Sequence, residues 1–162
     1  MAGFTTLSLP AGLPPGITIT QRHAEAIHCA KPCGIFHHYS NTPEVTNYTT
    51  GNSFAAAEYT PLFTYMGFRY VELSGLPDGI VPSFATLSAH FIHTDYEITG
   101  GISFSDPDLD AVQHITRAAA KSNFQSIPTD CPQRERRGWL GDAQLSAGLS
   151  LHFHLRLGPD VL

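Results

Sequence analysis

Residues 129–142 read Thr129-Asp130-Cys131-Pro132-Gln133-Arg134-Glu135-Arg136-Arg137-Gly138-Trp139-Leu140-Gly141-Asp142. This run holds three carboxylates, three arginines and the only tryptophan of the chain, whereas charged residues make up 14% of the whole sequence. Carboxylates beside guanidinium groups and an aromatic ring are the side chains that a site needs to hold a polar ring and move a proton. The run is therefore the first candidate for a functional site.

A helix is predicted before this run. The sequence Ser105-Asp106-Pro107-Asp108 is typical of a helix start, because a Ser or Asp side chain accepts hydrogen bonds from free N–H groups and proline suits the first turn. Apolar residues then recur at helical spacing, at Leu109, Val112, Ile115 and Ala119. The pattern predicts a helix that ends at about Phe124.

The run itself is predicted to be a loop between two helices. Pro128 and Pro132 interrupt regular structure, which places residues 130–137 on a loop. A second helix is predicted to begin at Asp142 and to end near Gly158-Pro159. Its apolar side is expected to carry Leu145, Leu149 and Phe153.

The part of the chain before the first helix is rich in β-strand signals. Short segments with alternating or β-branched and aromatic residues are separated by Gly, Pro and Asn, at residues 17–20, 66–73 and 86–92. This spacing favours a β-sandwich over a parallel sheet. We therefore expect an α+β chain with a β-sandwich domain over residues 1–104 and a helical domain over residues 105–162.

Composition excludes several classes of partner. A formal net charge of −5 over 162 residues argues against nucleic acid. No window approaches the ~18 consecutive apolar residues of a membrane span. No secretory signal is visible at the N-terminus, so a cytoplasmic location is expected.

The charged run has both a catalytic and a structural interpretation. A carboxyl group such as Glu135 donates a proton near neutral pH only where burial or neighbouring carboxylates, here Asp130 and Asp142, favour its protonated form. Trp139 offers a flat apolar face to the C–H side of a sugar. The structural alternative makes Asp142 a helix cap, Asp130 a turn residue, Glu135 one member of a solvated ion-pair cluster and Trp139 a core anchor.

A second cluster has residue types that bind zinc: His23, His28, Cys29, Cys33, His37 and His38. The spacing of Cys29 and Cys33 fits a zinc site, but no second cysteine pair follows and the histidines come too early for a finger. We therefore predict neither a metal site nor a cofactor.

The charged run resembles the catalytic signature of the bacterial-type α-L-rhamnosidases (glycoside hydrolase family 78), which remove terminal rhamnose with inversion. The family run has the form T-D-C-P-Q-R-(D)-E-R-x-G-W-x-G-D and follows N-F-x-S-x-P, which residues 123–128 match. Residues 61–72 resemble the family's β-domain segment, and residues 105–107 stand where its first barrel helix begins. The resemblance covers residues 58–150.

This resemblance implies a role for each residue of the site. Glu135 would be the general acid, and the rhamnose subsite would be lined by Asp130, Arg134, Trp139 and Asp142. The implied fold is a β-sandwich that leads into an (α/α)6 barrel, and the implied substrate is a rhamnose-containing glycoside. This chain has one acid after Arg134 where many members have two, and Leu140 replaces a usual threonine.

The second half of an inverting centre is missing from these residues. Inversion needs a second carboxylate about 6.5–9.5 Å from the acid, and the family supplies it from a downstream glutamate, whereas no glutamate follows Glu135. We therefore expect a truncated rhamnosidase with the first two barrel helices, little or no turnover by this polypeptide alone and self-association through uncovered apolar helix faces. A non-catalytic carbohydrate-binding remnant and a purely structural fragment are the alternatives.

Overall fold

A computed structural model describes residues 1–28, 34–36, 44–53, 55–98, 100–152 and 155–156. The chain forms two compact units. The first, which we call the β unit, comprises residues 2–91, and the second, the helical unit, begins at Ile92.

The described residues of the β unit form nine strands: β1 (Ala2–Leu9), β2 (Thr18–Ala24), β3 (Ala26–His28), β4 (Gly34–Phe36), β5 (Val45–Thr49), β6 (Ala57–Tyr59), β7 (Met66–Gly67), β8 (Tyr70–Ser74) and β9 (Leu87–Phe91). The helical unit contains β10 (Glu97–Ile98), α1 (Pro107–Ser122), β11 (Phe124–Gln125), β12 (Ile127–Pro128), α2 (Leu140–His152) and β13 (Leu155–Arg156).

Two antiparallel sheets and a hairpin make up the described part of the β unit. In the first, β1 is central: β6 and β7 pair with its two ends along one edge, and β9 pairs with it along the other. In the second, β2 lies between β5 and β8. The strands β3 and β4 form a separate hairpin.

The apolar core of the β unit joins these two sheets. Leu7, Leu9, Leu13 and Ile19 form the buried cluster, and Leu7 and Ile19 are fully inaccessible to solvent. Burial of side chains of this size stabilises the unit by about 1.5–3 kcal/mol each. Two sheets with a shared core make the sandwich that short strands and turn signals predict.

A polar cluster lies within this core. The Thr5 hydroxyl donates to Gln21 Oε1 at 2.7 Å and lies 2.9 Å from His23 Nε2, and all three residues are buried. His23 Nδ1 lies 3.1 Å from the carbonyl oxygen of Glu44. Burial lowers the pKa of His23 more than the hydrogen bond to the Glu44 carbonyl raises it.

Strand β1 was not predicted, although six of its eight residues are buried. Residues alternate between buried and exposed only when one face of a strand is exposed to solvent, and β1 has no exposed residue. The predicted strand over residues 66–73 is interrupted, because Phe68 and Arg69 separate β7 from β8. The strand predicted over residues 86–92 is confirmed as β9.

The first helix is confirmed with its predicted start. Asp106 is the N-cap and accepts from the backbone N–H of Asp108 at 2.9 Å, and Pro107 occupies the first turn. The helix ends at Ser122, with Asn123 as its C-cap. No helix in the described part of the chain is long and apolar enough to cross a membrane.

The predicted second helix is correct in place and wrong in extent. It begins at Leu140, so Asp142 lies inside the first turn, and it ends at His152. The end predicted near Gly158 is wrong because residues 155–156 leave the helix and pair with β10 as β13. Phe153 and Gly158-Pro159 lie outside the described residues.

The helical unit begins before the composition change that set the predicted domain boundary at residues 104/105. The segment 92–96 hydrogen-bonds with the β11–β12 hairpin: Gln125 Nε2 donates to the Ile92 carbonyl, and the Thr94 N–H donates to the Phe124 carbonyl. These bonds hold the segment in the helical unit, although it precedes the helix signal.

The apolar stripe of α1 has helical spacing but no cover. No residue of this helix is buried, and Leu109, Val112 and Ile115 are more than half exposed. On α2, Leu145 is 88% exposed. The stripe predicted from sequence is therefore present, and nothing in the described part of the helical unit packs over it.

Candidate active-site loop

The charged run forms a loop that Asp130 closes. The backbone N–H of Arg137 donates to Asp130 Oδ1 at 2.9 Å, and the N–H of Asp130 donates to the Arg137 carbonyl at 3.1 Å. We call residues 130–139 the site loop. These two hydrogen bonds bring Asp130 and Arg137 together, and the chain between them turns at residues 132–135.

Cys131 organises the inside of this loop. Its thiol donates to Asp130 Oδ2 and accepts from the backbone N–H of Glu135, each at 3.2 Å. Both oxygens of Asp130 are therefore engaged by the loop. Partial burial would raise the pKa of Asp130, but the hydrogen bonds from the Arg137 N–H and the Cys131 thiol outweigh it, so the pKa lies below its ordinary value.

Glu135 lies between a guanidinium group and the indole. Arg134 Nη2 donates to Glu135 Oε1 at 2.5 Å, and Trp139 Nε1 donates to Glu135 Oε2 at 2.9 Å. The Arg134 side chain is 50% exposed and the Glu135 side chain 33% exposed. The predicted acid, its neighbouring arginine and the aromatic ring thus form one connected group.

Asp142 belongs to a different part of the surface. It lines a cavity of about 480 Å³ together with Asp130, Asn123, Phe124 and Leu145, among other residues of α1, α2 and the hairpin. Within the described part of the chain, no hydrogen bond or ion pair engages its carboxylate. Glu135 and Trp139 do not line this cavity.

The structure therefore groups the five predicted residues in two sets. Glu135, Arg134 and Trp139 make one, Asp130 and Asp142 line the cavity, and Cys131 links Asp130 to the backbone of Glu135. The sequence pointed to Cys131 only through its place in the family run, next to Asp130, and not through a predicted role of its own.

The structural interpretation of the charged run is correct for some residues and wrong for others. Trp139 is not a core anchor, because it is 48% exposed. Asp142 is an acid of the first helical turn, where it complements the helix dipole. Asp130 closes a longer loop than a tight turn, and Glu135 does form an ion pair with a partly exposed arginine.

The backbone before the loop is tied to the end of α1. The N–H and the hydroxyl of Thr129 both donate to the Asn123 carbonyl, at 2.7 and 3.0 Å. Ser126, in the left-handed region with φ of 67°, donates its N–H to Thr94 Oγ1. The hairpin thereby fixes where the site loop starts.

Of the histidines and cysteines with metal-binding spacing, Cys29, Cys33, His37 and His38 lie outside the described residues, and only the backbone of His28 is described. His23 is committed to the core cluster with Thr5. No group of three or more metal-binding side chains occurs in the described portion of the chain.

Comparison with known proteins gives the same division of the chain. Residues 1–93 match the bacterial alpha-L-rhamnosidase concanavalin-like domain, and residues 97–154 match the bacterial alpha-L-rhamnosidase 6 hairpin glycosidase domain. Among curated relatives, an alpha-L-rhamnosidase of Alteromonas sp. (strain LOR) is 33% identical over 94% of this chain, and one of Formosa agariphila is 34% identical over 93%. The chain spans 16% of the length of each of these relatives.

Solved structures of alpha-L-rhamnosidases are also similar to this chain. The alpha-L-rhamnosidase of Dictyoglumus thermophilum superimposes on 93% of the chain with a TM-score of 0.80 and 35% identity, and the chain covers 17% of it. The enzyme of Aspergillus terreus superimposes on 95% with a TM-score of 0.79 and 29% identity, and 18% of it is covered. The chain belongs to the bacterial α-L-rhamnosidase family of glycosidases.

Proposed function

We propose that this chain carries the proton-donating half of an inverting α-L-rhamnosidase centre, with Glu135 as the general acid. The geometry of Glu135 is the observation that carries this proposal. Its carboxylate is held against the indole N–H of Trp139 and beside Arg134. Family membership supplies the substrate class, a terminal α-L-rhamnoside.

In the proposed reaction, the apolar face of the sugar stacks on Trp139, and Glu135 gives its proton to the glycosidic oxygen as the bond from that oxygen to the anomeric carbon breaks. Both oxygens of Glu135 accept N–H donors. We infer that loading the acid with a proton releases the Arg134 contact, since an ion pair between partly exposed side chains is worth at most about 1 kcal/mol.

The rhamnose subsite is proposed to comprise Asp130, Arg134, Trp139 and Asp142. Asp142 is the carboxylate that would accept hydrogen bonds from the sugar hydroxyl groups, because it makes no hydrogen bond with the site loop. Asp130 already holds Arg137 and Cys131, so its proposed contribution is to shape the cavity wall that both carboxylates share.

The remainder of the centre is proposed to come from elsewhere. We infer that α1 and α2 are the first two helices of an (α/α)6 barrel, a role that suits their exposed apolar stripes. An inverting enzyme also needs a carboxylate to activate water, and no glutamate follows Glu135 in these 162 residues. The chain alone is therefore expected to show no hydrolysis.

An assay with an aryl α-L-rhamnoside tests this proposal. We expect no release of the aryl alcohol above a blank, with either the wild-type chain or Glu135→Gln. Turnover that is abolished by Glu135→Gln but kept by Glu58→Gln, an exposed glutamate of the β unit, would mean that this chain supplies its own base. The prediction that this chain lacks a catalytic base would then be wrong.

Carbohydrate binding without catalysis is the second candidate, favoured by the separation of Glu135 from the cavity. Titration with L-rhamnose, followed by ¹H–¹⁵N NMR, distinguishes the candidates from a purely structural fragment. A site predicts saturable shifts of the Trp139 indole signal that are lost in Asp142→Asn and kept in Asp108→Asn, an exposed acid of α1. No shift in any variant would leave only the structural role.

A further inference from the structure

Gly138 meets an unusual steric constraint next to the proposed acid. A Cβ atom at this position would overlap the δ-methyl group of Ile127, and Ile127 Cγ1 would lie 3.4 Å away. The backbone of Gly138 does not adopt the left-handed conformation that favours glycine. The close contact at Gly138 therefore comes from the far end of the Ile127 side chain, which can rotate, and not from the backbone angles.

Hydrogen bonds hold the backbone around Ile127, whereas its side chain is 54% exposed. It lies in β12, which pairs with β11 through Gln125, and the Gln125 side chain donates to the Ile92 carbonyl at 3.0 Å. The N–H of the adjacent Ser126 donates to Thr94 Oγ1 at 2.6 Å. The hairpin thus presents the isoleucine side chain from a backbone that several hydrogen bonds fix.

Gly138 is the only residue between two parts of the site. On one side, Arg137 closes the loop with Asp130 through two hydrogen bonds. On the other side, Trp139 donates its indole N–H to Glu135. A displacement of the Gly138 backbone therefore moves the aromatic ring relative to the carboxylate.

We propose that Ile127 is a positioning residue, whose side chain packs into the space left by the missing Cβ of Gly138 and so sets the Trp139 ring against Glu135. The catalytic consequence rests on the proposed function, whereas the packing and its effect on Trp139 do not. Ile127 lies outside the charged run and touches neither the acid nor a subsite residue in any described contact.

A cycle of four proteins tests the proposal: the wild-type chain, Ile127→Val, Gly138→Ala and the double variant. Because Trp139 is the only tryptophan, acrylamide quenching of its fluorescence reports this site alone. We expect Gly138→Ala to raise the quenching constant of Trp139. The rise should be at most about twofold, because Trp139 is already 48% exposed. The double variant should return towards wild type, since valine lacks the δ-methyl group that the new Cβ would meet.

Gly141→Ala is the matched control. This glycine lies in the first turn of α2, and a Cβ there would meet no heavy atom within 4 Å. Its quenching constant should equal that of wild type. If Gly138→Ala does not fold, Ile127→Ala takes its place and should raise the quenching constant, because it empties the same space.

Two results would overturn the proposal: unchanged quenching in Gly138→Ala, or an equal rise in Gly138→Ala and in the double variant. L-Rhamnose added to the same samples separates this proposal from the proposed function. Coupling between the two positions without any sugar response would retain Ile127 as a positioning residue and remove the rhamnoside site. A sugar response without coupling would do the reverse.

Discussion

The β unit and the helical unit differ most in what they bury. In the β unit, Leu7 and Ile19 are fully buried within a core between two sheets. In the described part of the helical unit, no large apolar side chain is buried, although α1 and α2 carry apolar residues at helical spacing. Helices gain most of their stability from packing of an apolar face. The described residues of the unit that bears the charged run therefore form its secondary structure without burying a large apolar side chain.

Gly75→Ala should give the largest loss of stability in the β unit. Gly75 has φ of +81°, and a Cβ there would overlap the backbone oxygen of Thr18. Strain and overpacking together should lower the free energy of unfolding by about 2–6 kcal/mol, measured by urea denaturation followed by circular dichroism. Gly79→Ala, at φ of +87° with open space around it, isolates the strain and should cost about 1–2 kcal/mol. Equal losses in the two variants would contradict the close contact.

Two identical substitutions sharpen the contrast between the units. Leu7→Ala should cost about 2–5 kcal/mol, because it empties a fully buried position. Leu145→Ala should change stability by less than about 0.5 kcal/mol, since the side chain is 88% exposed. Urea denaturation of both variants provides the measurement, and a similar loss in each would show that α2 is covered.

Acid should weaken the β unit through His23. Because burial lowers its pKa in the folded state, the unfolded chain binds the proton more readily. The stability that neutral, buried His23 contributes is therefore fully present above the unfolded pKa of about 6.5. It is lost as the pH falls through the lower folded pKa, and the free energy of unfolding changes by no more than about 1.4 kcal/mol per pH unit. The urea midpoint between pH 8 and pH 5 should fall less in His23→Gln than in wild type. His114→Gln, on the exposed side of α1, should follow wild type, and a profile of His23→Gln that matches wild type would exclude His23 as the cause.

The exposed apolar side chains of the helical unit also predict self-association. Ile115 is 66% exposed on the α1 stripe, and covering such a side chain is worth about 1.5–3 kcal/mol when burial is complete. Sedimentation equilibrium should show association of the wild-type chain that Ile115→Glu weakens about tenfold or more. Asp110→Glu, on the same helix, is the control. A wild-type chain that stays monomeric would refute the proposed self-association.

Local signals predicted the helices better than the strands and the site. Asp106 and Pro107 define the start of α1 by backbone hydrogen bonding alone, so the sequence was sufficient there. β1 was missed because a strand buried on both faces has no period of two. The end of α2 was misplaced because the pairing of residues 155–156 with β10 is a tertiary contact.

The site followed the same rule. The motif predicted Glu135 and its neighbours as candidate site residues, but not which of them contact one another. The bond between Trp139 and Glu135, the closure of the loop by Asp130 and the packing of Ile127 against Gly138 depend on how the loop folds back on the hairpin. No spacing rule specifies those contacts.

The most direct test of Glu135 as the acid supplies the missing nucleophile from solution. With azide added, attack at the anomeric carbon forms a C–N bond as the glycosidic C–O bond breaks, and the departing oxygen takes the proton of Glu135. We predict azide-dependent release of phenol from phenyl α-L-rhamnoside that falls about 10²–10⁴-fold in Glu135→Gln, while release of 2,4-dinitrophenol, which leaves without a proton, stays within severalfold of wild type. Equal loss for both leaving groups, or no loss for phenol, would contradict the assignment of Glu135 as the general acid.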